Sequence, residues 1–135
     1  MIIRQVSVFL ENKAGTLAPL INLLADHEID MTALSIAESP DYGILRIIVD
    51  DPDKAVQVIE EGGWPCKINH VLAIYIPDEP GSLAKVLGTL SENGINLVYS
   101  YAFLARQSNK AGIVLRVDSN DAAEKLLKDK GFLTE

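Results

Sequence analysis

With 135 residues the chain has room for one ordinary domain or two small ones, and 48% of its residues are hydrophobic, enough for real cores. Lys and Arg number 12 against 19 Asp and Glu, a net charge of −7 with no basic block, which disfavours nucleic acid and anionic membrane surfaces as partners. The single Cys66 excludes an internal disulfide, no Cys/His cluster has metal-ligand spacing, and no apolar run reaches the roughly 18 to 20 residues of a membrane span. The opening residues, Met1 to Gln5, lack the long apolar segment of a signal peptide, so a soluble cytoplasmic protein is expected. His27 and His70 stand alone and are expected at the surface or at a strand end.

Gln5 to Leu10 alternates, with Val6, Val8 and Leu10 on one face, and predicts a half-buried strand. From Thr16, the residues Leu17, Leu20, Ile21 and Leu24 recur at helical spacing, predicting an amphipathic helix that ends near Glu28. Ile29 to Ala37 reads as a strand, Ser39 to Gly43 as a turn, and Ile44 to Val49 as a β-branched third strand. Asp51-Pro52 opens a second helix with an acidic cap and a proline in the first turn; Gly62-Gly63 stops it, and Pro65 to Asn69 gives a short strand.

The second half repeats this order. Val71 to Ile76 is a strand, Leu83, Val86, Leu87 and Leu90 form a helical stripe, and Ile95 to Leu104 and Gly112 to Val117 are strands. A last helix follows Ser119 and stops at Gly131, which leaves only Phe132 to Glu135 for a closing strand, so that strand is expected to be short or missing. The order βαββαβ, twice, is the ferredoxin-like plan: an antiparallel sheet with helices on one face, strands one and three central and strand two at an edge. The expected modules are 1–68 and 69–135, with no Gly/Ser or Pro-rich linker between them. The second strands carry no Lys or Pro; such edges are expected to pair, within or between chains, into a larger continuous sheet. The second copy is apolar on both sheet faces and, with Phe9 and Trp64, suggests an open face covered by a partner.

The repeat is sharpest at two turns. Leu10-Glu11-Asn12-Lys13-Ala14-Gly15-Thr16-Leu17 is answered by Ile76-Pro77-Asp78-Glu79-Pro80-Gly81-Ser82-Leu83 at one constant offset of 66 residues, Gly15 to Gly81. The first N–H groups of a helix have no intrahelical acceptor, and the helix dipole adds partial positive charge there. A glycine lets a ligand approach that backbone, so each turn can cradle a carboxylate or simply cap a helix. Asp30 and Asn96, followed by Met31 and Leu97, occupy equivalent places at the start of each second strand. A zwitterionic amino acid needs donors for its carboxylate, which turn amides supply. It also needs acceptors for its ammonium, which Asn12, Asp78, Asp30, Asn96 and strand carbonyls supply.

There is no nucleophile elbow, phosphate loop, metal motif or interpretable Ser/His/Asp set, so no catalytic residue and no cofactor is assigned. Asp50, Asp51 and Asp53 read as helix capping, and Arg46 and Arg116 as packing or ion-pair residues on the third strands.

The pattern resembles the ACT domain, a small regulatory module that binds amino acids. The resemblance rests on N/D-x-x-G-x-L after a first strand, on Gly94-Ile95-Asn96-Leu97 opening a second strand, and on βαββαβ order, over essentially all of the chain, twice. Phe9 to Gly15 is similar to the start of free-standing tandem ACT proteins. The resemblance implies ligand sites between modules, where the turn of one faces the second strand of another. It implies Asn12, Ala14, Gly15, Thr16 and Leu17, with Lys13 in the same turn, at one site, and Asp78, Pro80, Gly81, Ser82 and Leu83, with Glu79 in the same turn, at the other. Asp30, Met31, Asn96 and Leu97 are the second-strand candidates, Asn96 matching the Asn that contacts ligand in serine-sensing members. Ala14 stands where proline is usual and Asp30 where Asn96 is its counterpart, differences that set the two sites apart.

The function expected is a non-catalytic amino-acid sensor, a homodimer, that signals to an amino-acid-metabolism enzyme. Leu, Met and Tyr around the sites favour an apolar or aromatic amino acid, with histidine open. The rival expectations are a ligand-free assembly module and a small enzyme on a ferredoxin-like sheet.

Overall fold

The computed structural model describes residues 1–11 and 13–132. The elements run β1 (Ile2–Glu11), α1 (Leu17–Asp26), β2 (Met31–Glu38), β3 (Tyr42–Val49), α2 (Pro52–Glu61), β4 (Cys66–Pro77), α3 (Ser82–Glu92), β5 (Leu97–Phe103), β6 (Lys110–Val117) and α4 (Asn120–Asp129). This is βαββαβ followed by αββα, with the strand predicted at Pro65 to Asn69 and the strand predicted at Val71 to Ile76 fused into β4. The chain divides into two compact units. The first is Arg4–Asn69; the second runs from His70 onward and includes Met1–Ile3.

In the strand order β2-β3-β1-β4-β6-β5 the first four strands belong to the first unit and the last four to the second, β1 and β4 being counted in both. Every pairing given below is antiparallel. In the first unit β1 pairs with β3 from Val6↔Ile47 to Glu11↔Tyr42, and β2 with β3 from Met31↔Val49 to Glu38↔Gly43. In the second, β4 pairs with β6 from Leu72↔Leu115 to Pro77↔Lys110, and β5 with β6 from Leu97↔Val117 to Phe103↔Gly112. β2 and β5 stand at the two ends of the order, so the long second strands do not pair with one another within the chain. Each is irregular at the same repeat position, between Met31 and Ala33 and between Leu97 and Tyr99. That local bulge disturbs the ladder of an exposed edge.

One helix pair covers one face of each sheet. Val6, Val8 and Leu10 meet Leu20 and Leu24 of α1 and Ala55 and Ile59 of α2 in the first core. Leu72, Ile74 and Ile76 meet Val86 and Leu90 of α3 and Ala123 and Leu127 of α4 in the second. The inward residues of each helix recur at three and four positions, so one stripe faces the strands while the polar side stays in water. Trp64 packs against the first core and its ring lies on Gly62, where a Cβ would come within 2.7 Å of it. It therefore does not belong to the open face with Phe9. On the open face of the second unit Val71 and Val114 are already fully buried in the single chain. Tyr75 and Phe103 meet edge to face there, with Phe103 lying over Gly112.

Of the Phe132 to Glu135 stretch expected to form a closing strand, residues 133–135 lie outside the described residues; in the strand order the position beside β4 in the second unit belongs to β1. Met1–Ile3 fill it: the Ala73 N–H donates to the Met1 carbonyl at 2.8 Å, and Ile2 packs on the second core. β1 thus closes the second sheet with its first residues and opens the first sheet with the rest.

The helix ends follow the repeat even where the residue types differ. At the end of α3 the Ile95 N–H returns to the Leu90 carbonyl at 3.0 Å, with Gly94 at φ +72°. At the end of α1 the Ile29 N–H returns to Leu24 at 3.0 Å, but the left-handed position is held by Glu28 at φ +56°. A side chain is strained in this region and glycine is not. Glu28→Gly should therefore stabilise the protein by about 1 kcal/mol in urea titration. Ile2→Ala, at a half-buried position, should cost about 1–2 kcal/mol, and hydrogen exchange should show the loss concentrated at the Ala73 amide.

Candidate functional site

Each repeat carries a cleft at the end of its first strand. The first, about 720 Å³, is bounded by Phe9, Leu10 and Glu11 of β1, by Lys13, Gly15 and Thr16 of the turn, by Pro19 of α1, by Tyr42 of β3, and by Gly63, Trp64 and Pro65. The second, about 490 Å³, is bounded by Tyr75, Ile76 and Pro77 of β4, by Glu79 and Ser82, by Lys85 of α3, by Gln107 and Lys110, and by Gly131 and Phe132. The two linings correspond at most positions, with Gly15 and Pro65 of the first and Gln107 of the second unmatched among the described residues. Phe9 answers Tyr75, Leu10 answers Ile76, Lys13 answers Glu79 and Thr16 answers Ser82 at an offset of 66. Tyr42 answers Lys110 and Trp64 answers Phe132 at an offset of 68, the two residues gained between the third strands and the turns before them. Both clefts are therefore one feature of the module, built twice.

The turns that line them are held by backbone geometry. Gly15 has φ +83° and Gly81 φ +91°, and a Cβ added to either would meet nothing within 4 Å. The glycines are required by the left-handed backbone, and they leave open space above it. The Thr16 hydroxyl donates across its turn, within 2.8 Å of the Glu11 carbonyl and 2.9 Å of the Lys13 carbonyl. In the second turn the Glu79 N–H donates to Pro77 and the Ser82 N–H to Glu79, at 2.9 and 3.3 Å. Among the described residues, no side chain caps the start of α1 or of α3. The contrast is α2, whose Lys54 N–H donates to the Asp51 carboxylate at 3.1 Å. The first N–H groups of α1 and α3 thus point toward the cleft end of each module without a side-chain partner among the described residues.

The residues predicted at the second strands lie elsewhere. The Asp30 N–H donates to the Asp50 carboxylate at 3.2 Å, and the Asn96 N–H to the Asp118 carboxylate at the same distance. In return the Asp50 and Asp118 N–H groups donate to the Asp30 and Asn96 carbonyls. Asp50 and Asp118 are thereby tied to the second strands. Glu11 pairs with Tyr42 at one end of β3, and Met31 pairs with Val49 at the other, about 23 Å away at the usual strand rise. The same span separates Lys110 from Val117 on β6. Within one module, therefore, Lys13 to Leu17 do not join Asp30 and Met31. In the other, Asp78 to Leu83 do not join Asn96 and Leu97. Asn12 lies outside the described residues. Met31 and Leu97 contribute instead to the cores of their own units. Phe9, Tyr42, Trp64 and Phe132 line the clefts and were not among the predicted site residues; the aromatic pairs at matching offsets were the available signal.

Charge differs between the clefts. Lys13 Nζ and Glu11 Oε2 form an exposed ion pair at 2.7 Å on the rim of the first. The hydrogen bond from Lys13, reinforced by its charge, holds the Glu11 carboxyl below the ordinary carboxylate range. Burial, and behind it the Glu60 carboxylate, push the Cys66 thiol up, and Sγ faces the Val56 carbonyl at 3.9 Å. Among the described residues no group of three or more His, Cys, Asp or Glu is placed to hold a metal ion, and no helix is long and apolar enough to cross a membrane.

The sequence pattern of the family described as ACT domain pair matches residues 1–134. Among solved structures, protein BT0572 from Bacteroides thetaiotaomicron is similar over 96% of this chain and 89% of its own, with 43% identity and a TM-score of 0.90. The regulatory subunit of aspartate kinase from Thermus thermophilus, in its ligand-free form, is similar over 97% of both chains, with 14% identity and a TM-score of 0.68. That from Thermus flavus is similar over 94% of this chain and 92% of its own, with 14% identity and a TM-score of 0.60. At such identity these last two speak for the fold alone. No curated protein matches the chain.

Two outcomes test the local geometry. Gly15→Ala and Gly81→Ala should each cost about 1 kcal/mol of stability from backbone strain alone, since no clash accompanies them. Because the folded pKa of Glu11 is depressed, its pairing with Lys13 is present above the unfolded carboxylate pKa and is lost as pH falls through the folded one. An NMR titration of Glu11 should therefore show a lowered midpoint that Lys13→Met restores.

Proposed function

The chain belongs to the ACT domain pair family, and from that membership we propose that it is a non-catalytic regulatory protein that binds a free amino acid. The observation that carries this reading is the pairing of two corresponding clefts with two glycine turns whose helix starts have no side-chain cap among the described residues. The α-carboxylate of the ligand takes the backbone N–H groups at Gly15 to Leu17 or at Gly81 to Leu83. The ammonium takes the side chain of Asp30 or Asn96 from a facing module, together with strand carbonyls. A site of that composition draws on two modules, since each module keeps its turn and its second-strand residue at opposite strand ends.

Phe9, Tyr42 and Trp64 around the first cleft suit an apolar or aromatic side chain. Occupancy is signalled to an amino-acid-metabolism enzyme by favouring one arrangement of modules, which requires that the ligand bind that arrangement better than its alternative. The relatives described as regulatory subunits of aspartate kinase give precedent for such a division of labour. We place a homodimer contact at β2, where Leu34 and Ile36 are 44% and 46% exposed on an edge strand. The protein is read as acting in the cytoplasm.

The test is a thermal-shift series with the proteinogenic amino acids, confirmed by calorimetry. A ligand at about a hundredfold excess over Kd should add about 2.7 kcal/mol. Gly15→Val or Gly81→Val should abolish the shift at its own turn. Trp64 is the only tryptophan, so occupancy of the first cleft should change intrinsic fluorescence. A folded protein that binds none of these amino acids by calorimetry would overturn the reading in favour of an assembly module.

A further inference from the structure

The second cleft differs from the first in a directed way. Where the first has Pro19, the second has Lys85, and where the first has Tyr42, the second has Lys110. Neither lysine takes part in an ion pair among the described residues. Lys85 lies in the first turn of α3, its own N–H bonded to Gly81 at 3.1 Å, and no acidic residue shares that turn. A cation there opposes the helix dipole, whose positive end is at the same place. Among the described residues Glu79 is the one carboxylate in the lining, Asp78 standing in the same turn but not among the lining residues. Two lysines and a helix start against one carboxylate make a locally cationic cleft on a chain of net charge −7. The corresponding cleft has one lysine, already paired with Glu11.

We propose that the second cleft takes an amino acid whose side chain carries its own carboxylate, with Lys85 and Lys110 meeting that second anionic group. This rests on the amino-acid-binding reading and sharpens it. The α-carboxylate uses the turn amides, as in the first repeat, and the side-chain carboxylate uses the two ammonium groups that replace Pro19 and Tyr42. The two clefts of one chain then select different ligand classes, neutral and aromatic in the first, dicarboxylic in the second.

The experiment is calorimetry at low ionic strength with aspartate, glutamate, asparagine, glutamine, phenylalanine and phosphoserine. The wild type is compared with Lys85→Gln/Lys110→Gln, two exposed positions whose exchange leaves the core intact. The expected result is that aspartate or glutamate binds about tenfold tighter than its amide. The double variant should remove that preference, added salt should weaken it, and Trp64 fluorescence should stay unchanged when aspartate or glutamate binds. Binding of amino acids with no preference for the dicarboxylates, or a preference that survives in the double variant, overturns this proposal and leaves the sensor reading standing. Phosphoserine binding tighter than both dicarboxylates also overturns it, in favour of a phosphate ligand. Failure of every amino acid to bind overturns both readings together.

Discussion

A glycine at positive φ after the opening strand of each repeat decides where the following helix starts and which way it leaves the sheet. Gly15 and Gly81 hold the same backbone shape with no neighbour pressing on them. The helix that follows is thereby offset from the strand end, and the gap is lined by the strand on one side and by the residues after the second helix on the other. With this turn in place, the helix stripe lands on Val6, Val8 and Leu10 or on Leu72, Ile74 and Ile76. The core is therefore coupled to the turn: a backbone unable to adopt the left-handed state would misplace both helix and cleft.

The repeated hydrogen-bond pattern shows how tightly the module is specified despite sparse identity between its copies. Glu28 and Gly94 share one backbone state and one set of returning N–H groups, yet only one of them is comfortable there. Asp50 and Asp118 accept from the same place on the second strands. Such paired contacts hold the ends of β2 and β5, strands that have a neighbour on one side only in the strand order. Where the copies part company is at the cleft linings, which are exposed and so are free to differ without penalty to the core.

Much of this was legible in the chain itself. Strand alternation and helix stripes identified eleven elements in the observed order, two of which prove to be one strand, because each repeat buries one face and the periods of 2 and 3.6 follow directly. The 66-residue offset marked the turns, since a left-handed position restricts the residue type. Three features were not readable. The fused strand β4 depends on how Cys66 to Asn69 and His70 to Pro77 continue through one ladder, with no turn residue to mark an end. The side of the sheet that Trp64 joins depends on Gly62 leaving room for its ring, a tertiary fact. Tyr42 and Trp64 reach the same cleft as Phe9 only because β3 and the stretch after α2 return to the end of β1, which residue type alone does not reveal.

The closing of the second sheet by Met1–Ile3 also orders the birth of the protein. These residues leave the ribosome 72 positions ahead of Ala73, the amide that pairs with them. Arg4–Asn69 contains its own four strands, and can condense while the rest of the chain is still being made, since domains form as units during synthesis. The second unit has no such freedom. Its fourth strand, Met1–Ile3, is made well before Ala73, so its sheet is completed only when residues 72 positions apart have both emerged. The loop to be closed is long, and such non-local pairing slows folding. The first unit can therefore be complete before the second, whose own strands are synthesised far apart in time.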